Sequence, residues 1–207
     1  MNHLPMFPLG NVIFPLKKFD LRVFENRYLE LITDIQDSGG YFGSCLIERG
    51  HEVGGGDKRF STGTYCQVTK LSKIASNQLM VECQGTNKLV VHQWLPEVSY
   101  PVANVEYLEE RIAHTYKSET KTLIIQELQE CYLLMNQLQE NQFPSPNFKA
   151  FSKLALYELC DIAPLGQMNR YALLACESEP EREDLLLSLV TDERLTLTEI
   201  RQLRNHS

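Results

Sequence analysis

The sequence predicts an α+β protein in which a β-rich half is followed by an α-helical half. Its 207 residues are 43% hydrophobic and 23% charged, which is ordinary usage for a folded domain. Glycine and proline divide the first hundred residues into short apolar runs, whereas after about residue 114 the apolar residues recur at helical spacing. We therefore expect a β-rich domain over residues 1–113 and a helical bundle over residues 114–207.

The strands of the first half are predicted from these short apolar runs. In one of them, Leu79, Val81 and Cys83 alternate with more polar neighbours, which is the period of a strand with one buried face. Residues 85–87, Gly-Thr-Asn, then predict a hairpin turn. The expected strands are 41–48, 63–74, 78–85, 88–94 and 99–108.

One helix is expected within the β-rich half. Tyr28, Leu31, Ile32 and Ile35 fall on one face at a spacing of 3.6 residues, and Ser-Gly-Gly at 38–40 ends the run. We expect this helix to cover one opening of the sheet. The glycine-rich segment 50–56 is predicted to be a flexible loop.

The second half carries the spacing of a helical bundle. A first helix is expected over 118–141, and the Phe-Pro-Ser-Pro run at 143–146 breaks it. Asn147 is a suitable N-cap for a second helix, which Pro164 and Gly166 end. Two further helices are expected, around 168–176 and from 181 to about 190. The two longest apolar faces comprise Ile124, Leu128, Cys131, Met135 and Leu138, then Phe148, Phe151, Ala155, Leu159 and Ile162.

Charge and hydropathy argue against nucleic-acid and membrane partners. The net charge is −7, and the longest basic runs are the pairs Lys17-Lys18 and Lys58-Arg59, whereas nucleic-acid binding needs clustered cations. Prolines, a glycine and an asparagine interrupt the apolar N-terminus, which is therefore not expected to be a signal peptide. We also expect no membrane-spanning helix, and a cytoplasmic location.

The cysteines and histidines predict neither a metal site nor a cofactor site. The six cysteines are widely spaced and form no Cys-x-x-Cys pair, so we expect small buried side chains. The five histidines likewise show no ligand spacing. These cysteines are Cys45, Cys66, Cys83, Cys131, Cys160 and Cys176.

A specific motif opens the chain. Residues 4–32 read LPMFPLGNVIFPLKKFDLRVFENRYLELI, in which a Pro-x-Phe-Pro-Leu run precedes a hydrophobic-Pro turn and a Phe-Glu-x-Arg-Tyr segment. This order resembles the start of the N-terminal, substrate-binding domain family of Lon-type proteases. The matching residues are Leu4, Pro5, Phe7, Pro8, Leu9, Val12, Phe14, Pro15, Leu16, Phe24, Glu25, Arg27 and Tyr28.

The resemblance continues through both halves. Phe42-Gly43, Gly63-Thr64, Gly85 and the YPVANV run at 100–105 fall at the family's strands, although Lys88 stands where relatives usually have arginine. The run LGQMNRYALLACESEPEREDLLLSL at 165–189 is similar to the end of the family's domain. The resemblance implies a PUA-like β pseudo-barrel followed by an α-helical bundle. It also implies recognition of unfolded or degradation-destined polypeptides, but it transfers no site residue.

The chemistry of a complete Lon protease is not expected in this sequence. The glycine-rich stretch GHEVGGGDKRFST lacks the Gly-Lys-Ser or Gly-Lys-Thr ending of a phosphate-binding loop. The pairs Ser72-Lys73 and Ser152-Lys153 are adjacent in sequence, so their side chains point in different directions. We therefore expect a protein that is not an enzyme.

Three functions remain open at this point. The first is a non-catalytic adaptor or regulator that binds a polypeptide substrate or partner protein. The second is a small hydrolase assembled by the fold, for example from Cys66 or Cys83 with His92. The third is an RNA-binding PUA-like module, which would need a continuous basic face. A polypeptide-binding surface needs accessible apolar groups, and the candidate substrate-binding residues are Phe19, Phe60, Trp94 and Tyr100.

Overall fold

The computed structural model describes residues 2–49, 58–109, 118–138 and 147–205. The chain divides into two compact units, Met1–Arg111 and Ile112–Ser207. The boundary expected between residues 113 and 114 lies outside the described residues and stays a prediction, as do the loop at 50–56 and the break at 143–146. The α+β prediction, with strands first and helices second, is confirmed.

The first unit is built on one antiparallel sheet. The strand order is β1-β6-β5-β4-β3, and β2 pairs with β5 beside this path. Parallel bridges from Met6 to Gly43 and from Leu9 to Leu46 connect the N-terminal segment to β3. Because β1 pairs with β6 and the residues after it pair with β3, the sheet closes into the expected pseudo-barrel. The elements are β1 (Asn2–Pro5), β2 (Lys18–Val23), α1 (Asn26–Gln36), β3 (Tyr41–Arg49), β4 (Lys58–Ala75), β5 (Gln78–Trp94) and β6 (Val102–Leu108).

The hairpin turn predicted at residues 85–87 is wrong. Strand β5 continues through Gly85 to Trp94, and the β4–β5 turn lies at residues 76–77 instead. A Cβ atom on Gly85 would lie 2.4 Å from the Phe14 carbonyl oxygen. Gly85 also donates to the Lys17 carbonyl and accepts from the Leu16 N–H, both at 2.8 Å. The glycine therefore permits a close approach of two backbone segments rather than a change of chain direction.

Helix α1 lies as its periodicity predicts. Tyr28, Leu31, Ile32 and Ile35 are all buried, and they join residues of the sheet in one apolar cluster. Gly39 and Gly40 follow the helix with φ values of +94° and +73°, where L-residues with side chains are strained. Residues of β1, β3, β5 and β6, with Met6 after β1, form a second buried cluster, which comprises Leu4, Met6, Cys45, Leu89, Val91, Ala103 and Val105.

Two strands of the first unit were missed by the apolar-run criterion. Strand β1 has only four residues, and β2 reads Lys-Phe-Asp-Leu-Arg-Val with charged residues at alternate positions. In β2, Lys18, Asp20 and Arg22 are exposed, while the residues between them are partly or fully buried. This is the pattern of a strand with one buried face. The strand begins at the end of a Pro-Leu-Lys-Lys run and its apolar residues alternate with charged ones, so it does not form a short apolar run.

The second unit is helical. Its longest helices, α2 and α6, pack against each other through Cys131, Leu134 and Leu197. The predicted face of α2 is confirmed, because Ile124, Leu128 and Cys131 are buried and Met135 and Leu138 are partly buried. The elements are α2 (Glu119–Leu138), α3 (Phe148–Phe151), α4 (Leu156–Ile162), α5 (Gln167–Ala175) and α6 (Glu179–Asn205).

The single helix predicted from residue 147 to Ile162 is wrong, because the chain breaks it into α3 and α4. At the break, the buried Lys121 ammonium donates to the carbonyls of Ser152 (3.3 Å) and Leu154 (2.7 Å). The Ala155 N–H donates to the Glu158 carboxylate at 2.7 Å, which starts α4. The broken segment is therefore stabilised by side chains that replace helical hydrogen bonds. Asn147 is at the N-cap of α3 but makes no side-chain capping bond.

Helix α6 is also longer than predicted. It continues to Asn205, well past the end expected near Val190. Leu197, which lies in the extension, packs on Cys131 and Leu134 of α2, and Arg201 donates to Gln137 at 3.1 Å. The apolar seam of the α2–α6 pair therefore extends into a segment whose sequence is mostly polar. Across the described residues, no helix combines the length and hydropathy needed to cross a membrane.

Candidate functional site

The connection between β5 and β6, residues 95–101, is fixed at both ends. The Leu95 N–H donates to the Val102 carbonyl at 2.9 Å, and the Met6 N–H donates to the Pro101 carbonyl at 2.8 Å. The first bond joins the two ends of the segment, and the second attaches it to Met6, directly after β1 of the closed sheet. We call this segment the 95–101 loop.

Helix α1 holds the C-terminal part of the 95–101 loop. The Ser99 hydroxyl donates to Glu30 at 2.8 Å, and the Tyr100 hydroxyl donates to Asp34 at 2.7 Å. Glu30 and Asp34 are four residues apart and so share one helix face. The Tyr100 ring packs on the apolar cluster beneath α1. Burial and the bond to Asp34 raise the pKa of Tyr100 to about 12, so the hydroxyl keeps its proton at neutral pH.

Two arginines hold Glu97 from either side. The Glu97 carboxylate lies 3.6 Å from the Arg27 guanidinium and 3.3 Å from that of Arg59. Arg27 also pairs with Glu25 at 3.2 Å, so the two charged residues of the Phe-Glu-x-Arg-Tyr segment meet at the start of α1. Both arginine side chains are largely buried, with 15% and 9% of their surface exposed, which makes these pairs less screened than surface ones.

Each arginine also lies over an aromatic ring. The guanidinium carbon of Arg27 is 4.4 Å from the Tyr28 ring centroid, and that of Arg59 is 4.6 Å from the Trp94 centroid. Cation–π contacts of this kind orient a guanidinium while leaving its edge available for carboxylates. The arginines of these ion pairs are therefore positioned by Tyr28 and Trp94, which pack in or against the apolar clusters.

The result is a fixed loop with an apolar side chain at its tip. Val98 is 95% exposed, although the residues on both sides of it are bonded to α1 or to the arginines. Phe24 is 50% exposed and directly precedes Glu25, at the other end of the Glu25–Arg27–Glu97 chain of ion pairs. We call Phe24 and Val98, with the ion pairs between them, the Val98 surface.

The four residues predicted to bind substrate are half-buried rather than exposed. Trp94 and Tyr100 are at the two ends of the 95–101 loop, where each packs on an apolar cluster. Phe19 lies in β2 and packs on the cluster beneath α1, and Phe60 lies in β4 next to Arg59. Their role in binding stays a prediction. Sequence reasoning overlooked Val98, whose one signal is an apolar residue inside the polar, proline-flanked run Pro-Glu-Val-Ser-Tyr-Pro.

The cysteines lack the properties of nucleophiles. All six are buried, as predicted, and none is in a disulfide. Burial raises the pKa of Cys83 to about 12 and that of Cys66 well above its usual value, so both thiols are protonated at neutral pH. His92, the base that a Cys-His pair would need, is exposed and lies 2.9 Å from Glu106. Among the described residues, no cluster of histidine, cysteine and carboxylate side chains could hold a metal ion.

These buried thiols make stability sensitive to alkaline pH. Burial raises the pKa of Cys131 and Cys160 to about 12, whereas a thiol in the unfolded chain ionises near 9. The stabilisation is complete below pH 9 and is lost as the pH rises towards 12, because only the unfolded chain then releases these protons. We expect the free energy of unfolding, measured with urea, to fall steadily above pH 9.

The variant Cys160→Ala provides the control for this expectation. It removes one of the buried thiols, so its free energy of unfolding should fall less steeply above pH 9 than that of the wild type. A free energy that stays flat between pH 8 and pH 11 would contradict the assignment of protonated, buried thiols. So would rapid reaction of the native protein with a thiol reagent at pH 8.

Comparison with known proteins places the fold in a family. The family model of the ATP-dependent protease La (LON) substrate-binding domain matches residues 3–192, which is most of the chain. The chain belongs to this family. The Lon resemblance of the opening motif is thereby confirmed, and the matched domain is the substrate-binding, non-catalytic part of Lon.

Solved structures and a curated relative agree with membership of the Lon substrate-binding domain family. The Lon N-terminal domain protein from Xanthomonas campestris superimposes with a TM-score of 0.67 and 25% identity, over 91% of this chain and 98% of that one. The N-terminal domain of the Mycobacterium avium complex Lon protease gives a TM-score of 0.62 at 16% identity, over 92% and 99%. That second likeness concerns the fold alone.

The curated relative is much longer than this chain. The Lon protease of Dictyoglomus thermophilum is 26% identical over 117 residues, which are 56% of this chain and 15% of the relative. The chain therefore matches a small part of that enzyme. In this fold, backbone hydrogen bonds position the 95–101 loop, and the first residues of the opening motif form the N-terminal segment that closes the sheet.

Proposed function

We propose that this protein is a non-catalytic module that binds unfolded or degradation-destined polypeptides through the Val98 surface, as an adaptor or regulator in the cytoplasm. The observation that carries the proposal is the 95% exposure of Val98 on a loop fixed by hydrogen bonds and ion pairs. Membership of the Lon substrate-binding domain family supports a polypeptide as the ligand.

The chemistry of the Val98 surface suits a non-native chain. Folded proteins bury most of their large apolar side chains, whereas an unfolded polypeptide presents them to any accessible apolar partner. Val98 offers such a partner, and Phe24 offers a second one at the other end of the ion-pair chain. Because the loop is already ordered, little conformational entropy is lost when it binds. In the proposed binding mode, Trp94 and Tyr100 position the 95–101 loop.

A binding titration of the variant Val98→Asp tests this function. The ligand is a fluorescently labelled model protein kept unfolded by reduction and carboxymethylation, and the readout is fluorescence anisotropy. Burying one valine side chain is worth about 1.5 kcal/mol, so we expect the dissociation constant to rise about tenfold or more. The native form of the same model protein should bind poorly to the wild type.

The variant Ile74→Asp is the matched control. Ile74 is 49% exposed beside the β4–β5 turn, at the end of β5 opposite to the end from which the 95–101 loop leaves. The same apolar-to-acidic change there should leave the dissociation constant within about twofold, since no interaction with the ligand is lost. Equal weakening by both variants, or no weakening by Val98→Asp, would contradict the proposed surface.

A further inference from the structure

One edge of the sheet in the first unit is open along β2. Among the described residues, β2 pairs only with β5, through Lys18↔Gln84 to Val23↔Leu79. Its other edge therefore presents backbone N–H and C=O groups in strand geometry. Such an edge is a template for another strand unless charges or prolines protect it.

Strand β4 has an open edge too, but its charges oppose pairing with a second copy. The pairing of β4 with β3 ends at Gln67, so within the described parts of the chain the residues after Val68 pair only with β5. The charged residues of this edge are Lys70 and Lys73, both exposed and both positive. Two copies of this edge would bring lysines towards lysines, which is how natural sheets block edge-to-edge association.

The β2 edge is self-complementary instead. When two copies run antiparallel with Leu21 opposite Leu21, Asp20 of each copy lies opposite Arg22 of the other. Phe19 then lies opposite Val23 on the other face. Asp20 and Arg22 are exposed, whereas Leu21 and Val23 belong to the face that packs on the cluster beneath α1. Opposite charges and apolar pairs directly across strands both stabilise a sheet.

The surroundings of Asp20 within one copy favour an added cation. On β5 its cross-strand partner is Glu82, a like charge, and Lys70, which is bonded to Glu82 at 2.6 Å, offsets part of this repulsion because it also attracts Asp20. Like charges directly opposite each other are unfavourable. An arginine from a second copy would offset this repulsion on the other side of β2. Arg22, which donates to Gln78 at 2.7 Å, has a neutral partner within its own copy.

We propose that a second copy of this chain adds to the β2 edge, antiparallel and two-fold symmetric, with Leu21 at the axis. The pairing joins two three-stranded regions, β2–β5–β4 of each copy, into one continuous sheet. A two-fold operator closes the assembly at two copies. An interface of six residues per strand is small, so the dimer forms reversibly. This inference does not rest on the proposed polypeptide binding, although the paired strands would lie next to Phe24 of the Val98 surface, which directly follows β2.

Sedimentation equilibrium of the full chain over a wide concentration range tests the dimer through charge reversal. The wild type should show a reversible monomer–dimer equilibrium. The variants Asp20→Arg and Arg22→Asp each place like charges opposite one another, so each alone should be monomeric, with the dimer dissociation constant raised at least tenfold. An equimolar mixture of the two should dimerise, because arginines then face aspartates. The double variant D20R/R22D should recover the dimer.

Three controls keep the experiment decisive. The circular dichroism spectrum of each variant should match that of the wild type, since these side chains are exposed and the fold is retained. The variant Lys73→Glu, on the β4 edge, should leave the equilibrium unchanged. A wild type that is monomeric at every concentration would overturn the proposal, and so would a dimer indifferent to the reversals. Open-ended association would indicate pairing of β2 with β4 and would overturn it as well.

Discussion

Replacing Gly85 by alanine is expected to destabilise the β-rich unit by about 3 kcal/mol, because the new methyl group has no space. Its Cβ would lie 2.4 Å from the Phe14 carbonyl oxygen, which is backbone and cannot rotate away. Hydrogen bonds of Gly85 with Leu16 and Lys17 hold the two segments at this distance. Relief of the overlap would therefore cost these bonds as well.

Urea unfolding followed by tryptophan fluorescence measures this loss. Trp94 is the one tryptophan in the sequence and lies in the β-rich unit, so its emission reports on that unit. The control is Gly166→Ala, the same change at a glycine with no neighbouring atom within 4 Å. Because Gly166 lies in the helical unit, the unfolding of this variant is followed by circular dichroism at the helical band. The substitution should shift the free energy of unfolding by less than about 1 kcal/mol. Similar losses in both variants would show that Gly85 is not at a close backbone approach.

Replacing Arg182 by methionine is expected to destabilise the helical unit by about 3 kcal/mol. Arg182 is 2% exposed and donates to the carbonyls of Leu173 (2.9 Å) and Cys176 (3.2 Å) at the end of α5. Its guanidinium carbon also lies 4.2 Å from the Tyr157 ring centroid. Methionine has a comparable volume but no donor, so buried carbonyls at a helix C-terminus would remain unsatisfied.

Thermal unfolding monitored by circular dichroism at the helical band measures this effect. Arg204→Met is the control on the same helix, because Arg204 is exposed and its bond to the Leu138 carbonyl is accessible to water. It should change stability by less than about 0.5 kcal/mol. Equal midpoints for the two variants would contradict a role for Arg182 in satisfying the end of α5.

Periodicity predicted the elements whose apolar faces are continuous. The buried faces of α1 and α2 follow directly from the sequence, since each helix buries one apolar face. Gly85 is a residue whose role periodicity does not predict. A glycine followed by two polar residues indicates a turn, but the glycine is required here because the Phe14 backbone lies so close to it. Likewise, Arg182 has the sequence pattern of a surface residue, although it is fully buried.

The candidate site could be predicted only in part for the same reason. Their aromatic character near strand ends makes Trp94 and Tyr100 candidates from the sequence; Trp94 directly precedes the 95–101 loop and Tyr100 lies in it. The ion pairs that fix the loop join Arg27, Arg59 and Glu97, which are far apart in sequence. No local pattern connects such residues, because the strand register and the helix position bring them together. The exposure of Val98 follows from that arrangement.

The most direct test of polypeptide recognition is a map of amide chemical shifts as the unfolded model protein is added to the isotope-labelled chain. We expect the largest changes at residues 95–99 and around Phe24 and Arg27, with little change near Ile74. Native model protein should cause no comparable changes. Shifts confined to other parts of the sheet or to the helical unit, or equal shifts with native and unfolded protein, would contradict recognition through the Val98 surface.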